Sequence, residues 1–400
     1  MGQSQHNPVS RRDFLRTTTH TAAAAGIGAI VQRTLGASTT QPAKPLLPHG
    51  VLGRTKFPVT LVSFGGIKLR DHNHTRVLKL AIDKGVNLLH TSDSYGGGKS
   101  IAAVANLFKA DKTYRDKVFL CLKGLTRQKE RELDKMLDTL GTDHIDCWLC
   151  ELQTPDVGRL ETVQALLDAM KKKGKVRHPG FVCHVDMNGS IEMVVEKAPT
   201  FFDVALIAMT MAPIPGDRDK DRTGPQSERF VKNLKALREK GVGILSMKSG
   251  AAKAVQKSAD VYLPHAKAIL QAGADSILTS MDAFEQVEMI ARLDIESPHL
   301  TEKDRQAAID FKQQQAGACL MCGECTGACP LGLPVADLMR FRMYTREYGL
   351  ADQARLEYAA LGPDVHRAVA NCGLCDACTG VCPVGLASAV TVRETASMLA

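Results

Sequence analysis

Two short cysteine runs near the end of the chain constrain its fold more than any other feature. Each run has the spacing C-x2-C-x2-C-x3-C-P, and together they hold eight of the twelve cysteines: Cys319, Cys322, Cys325 and Cys329 before Pro330, and Cys372, Cys375, Cys378 and Cys382 before Pro383. Thiolates at this spacing wrap three corners of an iron–sulfur cube from one tight loop. Zinc sites use two separated pairs, and a disulfide framework needs neither the terminal proline nor an exact repeat. The runs therefore predict two iron–sulfur clusters.

The segment between the runs, residues 330–371, is longer than in compact ferredoxins and has a helical pattern. Its apolar positions are Val335, Leu338, Phe341 and Tyr344, then Leu350, Ala354, Leu356 and Tyr358. This layout resembles the alpha-helical ferredoxin domains of quinone- and flavin-linked oxidoreductases, over residues 316–400. The resemblance implies two 4Fe–4S clusters, with the fourth cysteine of each run ligating the other cluster. It assigns Cys319, Cys322, Cys325 and Cys382 to one cluster and Cys372, Cys375, Cys378 and Cys329 to the other.

The middle of the chain alternates short apolar runs with amphipathic runs. The apolar runs predict strands at 60–64, 87–90, 118–123, 146–150, 176–183, 204–209, 243–247 and 276–278. The amphipathic runs predict helices at 74–84, 100–109, 127–140, 159–173, 190–197, 228–240, 264–272 and 283–293. Eight such pairs are typical of a (β/α)8 TIM barrel. An open doubly wound sheet is the alternative, but Phe64-Gly65-Gly66-Ile67 lacks its G-x-G-x-x-G turn. The predicted fold is thus an α/β barrel followed by a small, mostly helical two-cluster ferredoxin domain.

Several phrases in residues 50–296 resemble the aldo-keto reductase family in order and spacing. They are Leu52-Gly53-Arg54-Thr55, Gly85-Val86-Asn87-Leu88-Leu89, Tyr95-Gly96, residues 119–123, Leu140-Gly141-Thr142-Asp143-His144-Ile145-Asp146, Gly174-Lys175-Val176-Arg177 and Met247-Lys248. The chain is similar to the exported branch of the family that carries a ferredoxin tail. The expected domains are a barrel over 50–296, a connecting helix over 297–315 and the 4Fe–4S domain over 316–400.

The resemblance also implies a catalytic site at the carboxyl ends of the strands. The family reduces carbonyls through an Asp, a Tyr, a Lys and a His, and the lysine ammonium lowers the tyrosine pKa. Tyr95 and Lys123 match the Tyr and Lys positions, whereas His90 replaces the Asp and Cys150 replaces the His. We expect a neutral His90 to accept a hydrogen bond from Lys123, and Cys150 to orient a carbonyl poorly because a thiol is a weak donor.

The family uses NADPH, and the candidate cofactor-binding residues here are Lys248, Thr279 and Ser280. Met209-Thr210 stands where the family has an aromatic residue against the nicotinamide ring, and Asp282 would repel a phosphate. These departures leave NADPH binding open, whereas the two 4Fe–4S clusters are expected.

Four further cysteines lie on predicted strands. Cys121 and Cys147 alternate away from the barrel mouth and are expected to be core thiols. Cys150 and Cys183 have the alternative of converging with His90 and His184 as a site for a soft metal ion.

The first residues read as an export signal. Arg11-Arg12 is followed by Phe14-Leu15, by an Ala-rich apolar stretch over 17–31 and by small residues near Ala37 that are typical of a signal-peptide cleavage site. The paired arginines resemble a twin-arginine signal, which exports folded proteins and suits a cofactor inserted in the cytoplasm. We expect a signal over 1–37, a linker over 38–49 and an exported, periplasmic protein.

Composition excludes some classes of function. The formal net charge is +8, of which the first 37 residues carry +3, from four arginines and one aspartate. The remaining net charge of +5, with only one Trp and six Tyr in the chain, predicts no nucleic-acid partner. No apolar run is long enough for a stable membrane span. Two hypotheses remain: an oxidoreductase acting on a small molecule with a redox protein or quinone-linked carrier as partner, or a non-catalytic electron carrier or ligand-binding protein.

Overall fold

The computed structural model describes residues 47–124, 129–214, 220–295, 299–314, 318–373 and 375–400. The predicted signal (1–37) and most of the predicted linker (38–49) lie outside these ranges. The described residues belong to one compact unit, Pro45–Ala400, which contains both the barrel and the cysteine-rich segment. Among its described helices, none combines the length and the apolar character needed to cross a bilayer.

Eight parallel strands close into a barrel, as the sequence predicted. A short antiparallel hairpin, β1 (His49–Val51) and β2 (Pro58–Thr60), precedes them. The barrel strands are β3 (Val62–Gly65), β4 (Leu88–Ser92), β5 (Phe119–Lys123), β6 (Ile145–Glu151), β7 (Val176–Cys183), β8 (Val204–Ala208), β9 (Gly243–Met247) and β10 (Ser276–Thr279). Each strand pairs with the next along the chain, and β10 closes the ring by pairing with β3. Leu52 and Val59 pack into the barrel interior from the hairpin.

Helices fill the connections between the strands. Their bounds are α1 (His72–Asp83), α2 (Lys99–Ala110), α3 (Thr113–Asp116), α4 (Glu130–Leu140), α5 (Val157–Lys172), α6 (Met187–Lys197), α7 (Lys220–Glu239), α8 (Ala251–Ala254), α9 (Ala259–Gln271) and α10 (Phe284–Ala291). Side chains at the N-caps begin several of them: Asp156 accepts from the amide of Arg159 at 3.0 Å, for example. Gly141 ends α4 at a φ of 67°, which glycine adopts without the clash that a Cβ would cause.

The remainder of the chain is helical. α11 (Glu302–Gln313) connects the barrel to the cysteine-rich segment, which contains α12 (Glu324–Gly327), α13 (Val335–Arg346), α14 (Ala351–Ala360), α15 (Pro363–Ala370), α16 (Ala377–Gly380) and α17 (Ser388–Leu399). The apolar residues of α13 face α14 and α17, and α11 packs against α9 of the barrel. The helical insert predicted between the cysteine runs therefore forms α13, α14 and α15.

Candidate functional site

The mouth of the barrel is a cavity of about 770 Å³, which we call the mouth cavity. Of the residues predicted from the sequence, Tyr95, Lys123, His90, Lys248 and Ser280 meet here. The polar lining side chains are Lys68, His90, Tyr95, Lys123, His184, Lys248, Ser249, Ser280, Tyr344 and Tyr348. No carboxylate is among the described lining residues, so the cavity offers mainly hydrogen-bond donors to a ligand.

Strand alternation explains which side chains reach the mouth. Side chains two positions apart on a barrel strand face the same side, so the residue two after an interior side chain points into the mouth. The interior residues Leu88, Cys121, Leu149, Val182 and Leu278 are followed at this spacing by His90, Lys123, Glu151, His184 and Ser280. Cys121 and Cys147 lie in this interior cluster and are core thiols as expected, but they share the inward face of the strands with the mouth residues instead of alternating away from it.

Three candidates have the opposite parity and lie outside the mouth. Cys150 and Cys183 are fully buried in the apolar layer between strands and helices, away from His90 and His184. The structure therefore contradicts the alternative in which these four side chains converge on a soft metal ion. Thr279 is also turned outward, where its hydroxyl hydrogen-bonds the Tyr262 hydroxyl of α9 at 2.7 Å. Neither Cys150 nor Thr279 lines the mouth cavity.

A glycine loop places Tyr95 beside Lys123. Gly96, Gly97 and Gly98 follow the tyrosine with φ values of 60°, 64° and 89°, a left-handed run that turns the chain from β4 into α2. The Tyr95 side chain is buried, and the Lys123 ammonium lies 5.6 Å from the centre of its ring.

Glu151 supplies a carboxylate to Lys123. The Lys123 Nζ lies 3.4 Å from Glu151 Oε1, and their side chains are only 2% and 8% exposed. Burial alone would lower the lysine pKa, but Tyr95, Glu151 and Glu357 outweigh it and hold that pKa above its usual value. Burial raises the pKa of Glu151 although Lys123 opposes the shift. Lys123 thus stays protonated beside Glu151.

His90 does not bind Lys123, contrary to the sequence-based expectation. Its Nε2 is buried with no hydrogen-bond partner among the described residues, and the same holds for Nδ1 of His184. Burial, with a contribution from Lys123, lowers the pKa of His90 to about 3, so the expected neutral state agrees with the structure. Both imidazoles are uncharged and line the mouth cavity, but these two nitrogens are themselves buried.

The expected lowering of the tyrosine pKa is also wrong for this chain. Burial raises the pKa of Tyr95, and Lys123 opposes that rise without overcoming it. Tyr95 is therefore a neutral phenol that can donate a proton, while the adjacent ammonium can stabilise the phenolate formed afterwards.

The cysteine-rich segment closes one side of the mouth. Tyr344 and Tyr348, on and just after α13, line the cavity together with barrel residues. The hydroxyl of Tyr344 lies 3.4 Å from Nζ of Lys248, directly after β9, and burial with Arg340 lowers the pKa of this lysine well below its usual value. The amide of Gly96 donates to Oε1 of Gln353 on α14 at 3.2 Å. These contacts make the site a joint product of both parts of the chain.

A buried ion-pair network stands behind Tyr344. Arg340, 5% exposed, pairs with Glu357 and, at 2.6 Å, with Asp337. Burial would raise the pKa of Glu357, but Arg340 and Lys123 outweigh it and lower that pKa to about 2. Because Glu357 also acts on Lys123, charges on α13 and α14 contribute to the electrostatics of the barrel site.

The eight clustered cysteines form two separate groups, each around its own cavity. Cys319, Cys322, Cys325 and Cys382 surround a cavity of about 360 Å³, and Cys329, Cys372, Cys375 and Cys378 surround one of about 350 Å³. We call these groups the inner and outer quartets. They are the two sets that the ferredoxin resemblance implied, including the exchange of the fourth cysteine.

Two copies of one structural repeat build the quartets. Each element of the second copy lies 53 residues after its counterpart, as Cys372 does after Cys319 and Ser388 of α17 after Val335 of α13. Thr326 Oγ1 accepts from the amide ten residues later at 3.0 Å, and Thr379 Oγ1 does the same at 3.2 Å. The repeat explains why a second motif follows only after a long helical insert.

The quartets suit 4Fe–4S clusters by their donors and by their backbone. Four cysteine sulfurs per cavity form the ligand set of such a cluster. Left-handed residues after the second cysteine, Gly323 (φ 86°) and Asp376 (φ 58°), let each loop fold back around its cavity. The amides of Met321 and Leu386 donate to the sulfurs of Cys319 and Cys382, each at 3.3 Å. Each cluster, when bound, would supply one-electron redox chemistry.

Comparison with known proteins agrees with this architecture. Residues 62–251 match the aldo/keto reductase family, and residues 315–386 match the 4Fe–4S dicluster domain. The chain therefore carries an aldo/keto reductase domain and a 4Fe–4S dicluster domain. An aldo-keto reductase from Mycobacterium avium is 30% identical over 131 residues, 31% of this chain and 44% of the relative. The chain thus spans less than half of the length of that relative.

Two solved structures share the fold of the barrel. An aldo-keto reductase from Bacillus halodurans has a TM-score of 0.51 and 17% identity, covering 66% of this chain and 96% of its own. One from Klebsiella pneumoniae, solved in complex with NADPH, has the same TM-score and identity over 66% and 95% of the two chains. At this identity the likeness establishes the barrel fold.

Sequence reasoning missed Glu151, Arg340 and Glu357, and it named His184 only as an alternative metal ligand. Glu151 and the true position of His184 could have been found by extending the alternation of β6 and β7 by one step, because interior residues occur two positions earlier. Arg340 and Glu357 carried no such signal. Their role depends on how α13 and α14 pack over the barrel, which the local sequence does not encode.

Proposed function

We propose that this protein is an exported iron–sulfur oxidoreductase that oxidises or reduces a small molecule in the mouth cavity and exchanges electrons through its two clusters. The observation that carries the proposal is that Tyr95 and Lys123 from the barrel share one cavity with Tyr344 and Tyr348 from the cluster-bearing segment. A binding site closed by the electron-transfer domain is the arrangement that coupled redox chemistry requires.

The residues of the mouth cavity suit a substrate with a carbonyl or hydroxyl oxygen. Such an oxygen would lie near the Tyr95 hydroxyl, in a cavity that the imidazoles of His90 and His184 also line. Tyr95 would exchange the proton, Lys123 would stabilise the phenolate, and Glu151 would hold Lys123 in place. Glu151 thereby takes the part that an aspartate plays in the family to which the barrel is similar.

The lining of the cavity removes one objection to a nicotinamide cofactor. Asp282, which would repel a phosphate, is paired with Lys68 at 2.7 Å. Lys248 and Ser249 remain available on the cavity wall. The solved Klebsiella relative contains NADPH, and we include NADPH among the reductants to be tested here.

The inner quartet is the one closer to the barrel. The hydroxyl of Thr210, just after β8, donates to the carbonyl of Leu320, and Gly323 lies against Asp186 at the start of α6. The outer quartet contains Cys375, which is exposed. We therefore propose that electrons pass between the mouth cavity and the inner cluster, and that the outer cluster, nearer the surface, holds a second electron.

Export through the twin-arginine route is part of the same proposal. It is supported by Arg11-Arg12 and the apolar stretch over 17–31. The route carries folded proteins, which suits a chain whose clusters must be inserted before export.

The test uses the anaerobic holoprotein with both clusters present. NADPH and a panel of small aldehydes, ketones and alcohols are added separately while the visible absorbance of the clusters is followed. We expect one of these compounds to change the cluster absorbance in the wild type, and Tyr95→Phe to lower that rate at least a hundredfold. Tyr114→Phe, which removes a hydroxyl bound to Asp83 far from the mouth, is the matched control.

A non-catalytic role is the second candidate, because His90 stands where a carboxylate is expected and burial raises the pKa of Tyr95. Equal rates for Tyr95→Phe and the wild type, or binding without any change in the clusters, would replace the enzymatic proposal by this one.

A further inference from the structure

A second cavity lies beside the mouth and reaches the inner quartet. It encloses about 1310 Å³ and shares Lys248, Ser249, Gly250 and Tyr348 with the mouth cavity. Cys319 of the inner quartet forms part of its wall, as does Pro383 directly after Cys382. We call it the side cavity. A molecule inside it would contact the immediate surroundings of the inner cluster without entering the mouth.

The side cavity has a mostly apolar lining with a few basic side chains. Met209, Ile214, Ile269 and Met343 supply apolar surface from the segment after β8, from α9 and from α13. Its titratable lining groups are Lys248, Lys253, Lys312, Glu347 and His265, and burial, with Arg340, lowers the pKa of Lys248 well below its usual value. Glu347, the single acid among the described lining residues, is paired with Lys253 at 2.7 Å. Such a lining suits a flat apolar ring that carries hydrogen-bond acceptors.

We propose that the side cavity binds a quinone-class ring that exchanges electrons with the inner cluster. A quinone presents two carbonyl oxygens as acceptors, and the Lys253 ammonium keeps further donors beyond the one directed at Glu347. The ring takes electrons one at a time, which matches clusters that each hold one. This inference names the electron partner of the proposed oxidoreductase. It rests on one part of that proposal, namely that the clusters carry electrons.

The reaction between the clusters and the quinone balances in electrons and protons. A quinone in the side cavity would take two electrons, one from each reduced cluster, and two protons from solvent to become a quinol. Both clusters would then be oxidised, and no further reactant would be needed. Oxidation of a quinol would return the same two electrons to the clusters.

Binding is measured first, without turnover. Menadione is titrated into the oxidised holoprotein by calorimetry, and the EPR spectrum of the reduced inner cluster is recorded with and without the ring. Ile269→Trp fills the cavity, and Lys253→Gln removes a donor at its edge. Leu331→Trp is the matched control, because Leu331 is exposed beside the outer quartet. We expect the first two variants to weaken menadione binding at least tenfold, and the control to bind as the wild type does.

Electron transfer is measured next, with protein reduced by dithionite and freed of excess reductant. Menadione should reoxidise the clusters, and Ile269→Trp should slow this step at least tenfold while Leu331→Trp leaves it unchanged. If Leu331→Trp slowed reoxidation and Ile269→Trp did not, quinone reduction would occur at the outer cluster and the proposal would be overturned. Menadione binding that neither Ile269→Trp nor Lys253→Gln weakens would overturn it as well. Tighter binding of flavin mononucleotide or NADPH than of menadione, lost in the same variants, would assign the cavity to another ligand class. Because the electrons come from dithionite, these outcomes do not depend on chemistry in the mouth cavity.

Discussion

Replacing Glu151 by glutamine tests the central electrostatic feature of the barrel site. The Glu151 carboxylate lies 3.4 Å from the Lys123 ammonium, and both side chains are buried. The amide is nearly the same size as the carboxylate, so the change removes a charge without opening a cavity. Lys123 would then keep a buried positive charge with Glu357 as its remaining acidic neighbour.

The size of the effect follows from the geometry. Two unit charges 3.4 Å apart attract by about 5 kcal/mol at an effective dielectric constant of about 20. Removing one partner of a buried pair costs about 3–5 kcal/mol. We expect about 3 kcal/mol because Glu357 also stabilises Lys123. With an unfolding entropy of about 2.1 cal/mol/K per residue over about 350 residues, this lowers Tm by about 4 °C.

The assay is anaerobic thermal unfolding of the holoprotein followed by circular dichroism, at one fixed scan rate. Glu192→Gln is the control: Glu192 forms an ion pair with Arg229 in which both side chains are over two-fifths exposed, and surface pairs contribute about 0–1 kcal/mol. The control should lower Tm by less than about 1.5 °C. Equal Tm changes in the two variants would refute the assignment of Glu151 as the carboxylate that holds Lys123.

Three further predictions follow from the same site and from the sequence motifs. Burial lowers the pKa of His90 to about 3 in the folded protein, so the free energy of unfolding should fall as the pH drops below the ordinary imidazole pKa of about 6.5. His90→Asn should remove about 2 kcal/mol of this loss at pH 5. The variant should therefore show a shallower dependence of Tm on pH. Cys329→Ser should damage the EPR signal of the outer cluster and spare the inner one, and damage confined to the inner cluster would contradict the quartets. Replacing Arg11 and Arg12 by lysine should retain the protein in the cytoplasm on fractionation, whereas unchanged export would refute the twin-arginine interpretation.

The strands of the barrel could be predicted from the sequence because each one depends on the pattern of apolar residues within a short stretch. Strands at 176–183 and 243–247 have the predicted bounds, since each is a short apolar run ended by turn residues. Helix ends were less accurate: α6 begins at Met187 rather than at residue 190, because the Asp186 side chain caps the helix by accepting from the amide of Gly189.

The cluster ligands were readable for a different reason. A cluster requires cysteines at fixed spacing in one loop, so the motif itself identifies the ligands. The exchange of the fourth cysteine, however, requires two loops to meet. In this chain the pairing of α13 with α17 brings Cys382 to the first run and Cys329 to the second.

The barrel site shows where the sequence stops being sufficient. Tyr95 and Lys123 were identified from the chain, but Cys150 was chosen over Glu151, its neighbour, because a family position says nothing about which face of a strand a residue occupies. The direction of the Tyr95 pKa shift was likewise decided by burial under the cysteine-rich segment, not by the nearby lysine.

The sequence alone determined the barrel and the cysteine motifs, because these depend on periodicity and spacing within short segments. The tyrosine and lysine candidates came from the resemblance to the aldo-keto reductase family. Only the tertiary structure decided that α13 and α14 close the barrel mouth, that Arg340 and Glu357 act on the site, and that a second cavity reaches Cys319. Those features arise where segments far apart in the sequence pack together, as those of Thr210 and Leu320 do at the side cavity. Contacts between segments so far apart in the sequence depend on how the formed helices and strands pack together. No single stretch of the chain specifies that packing.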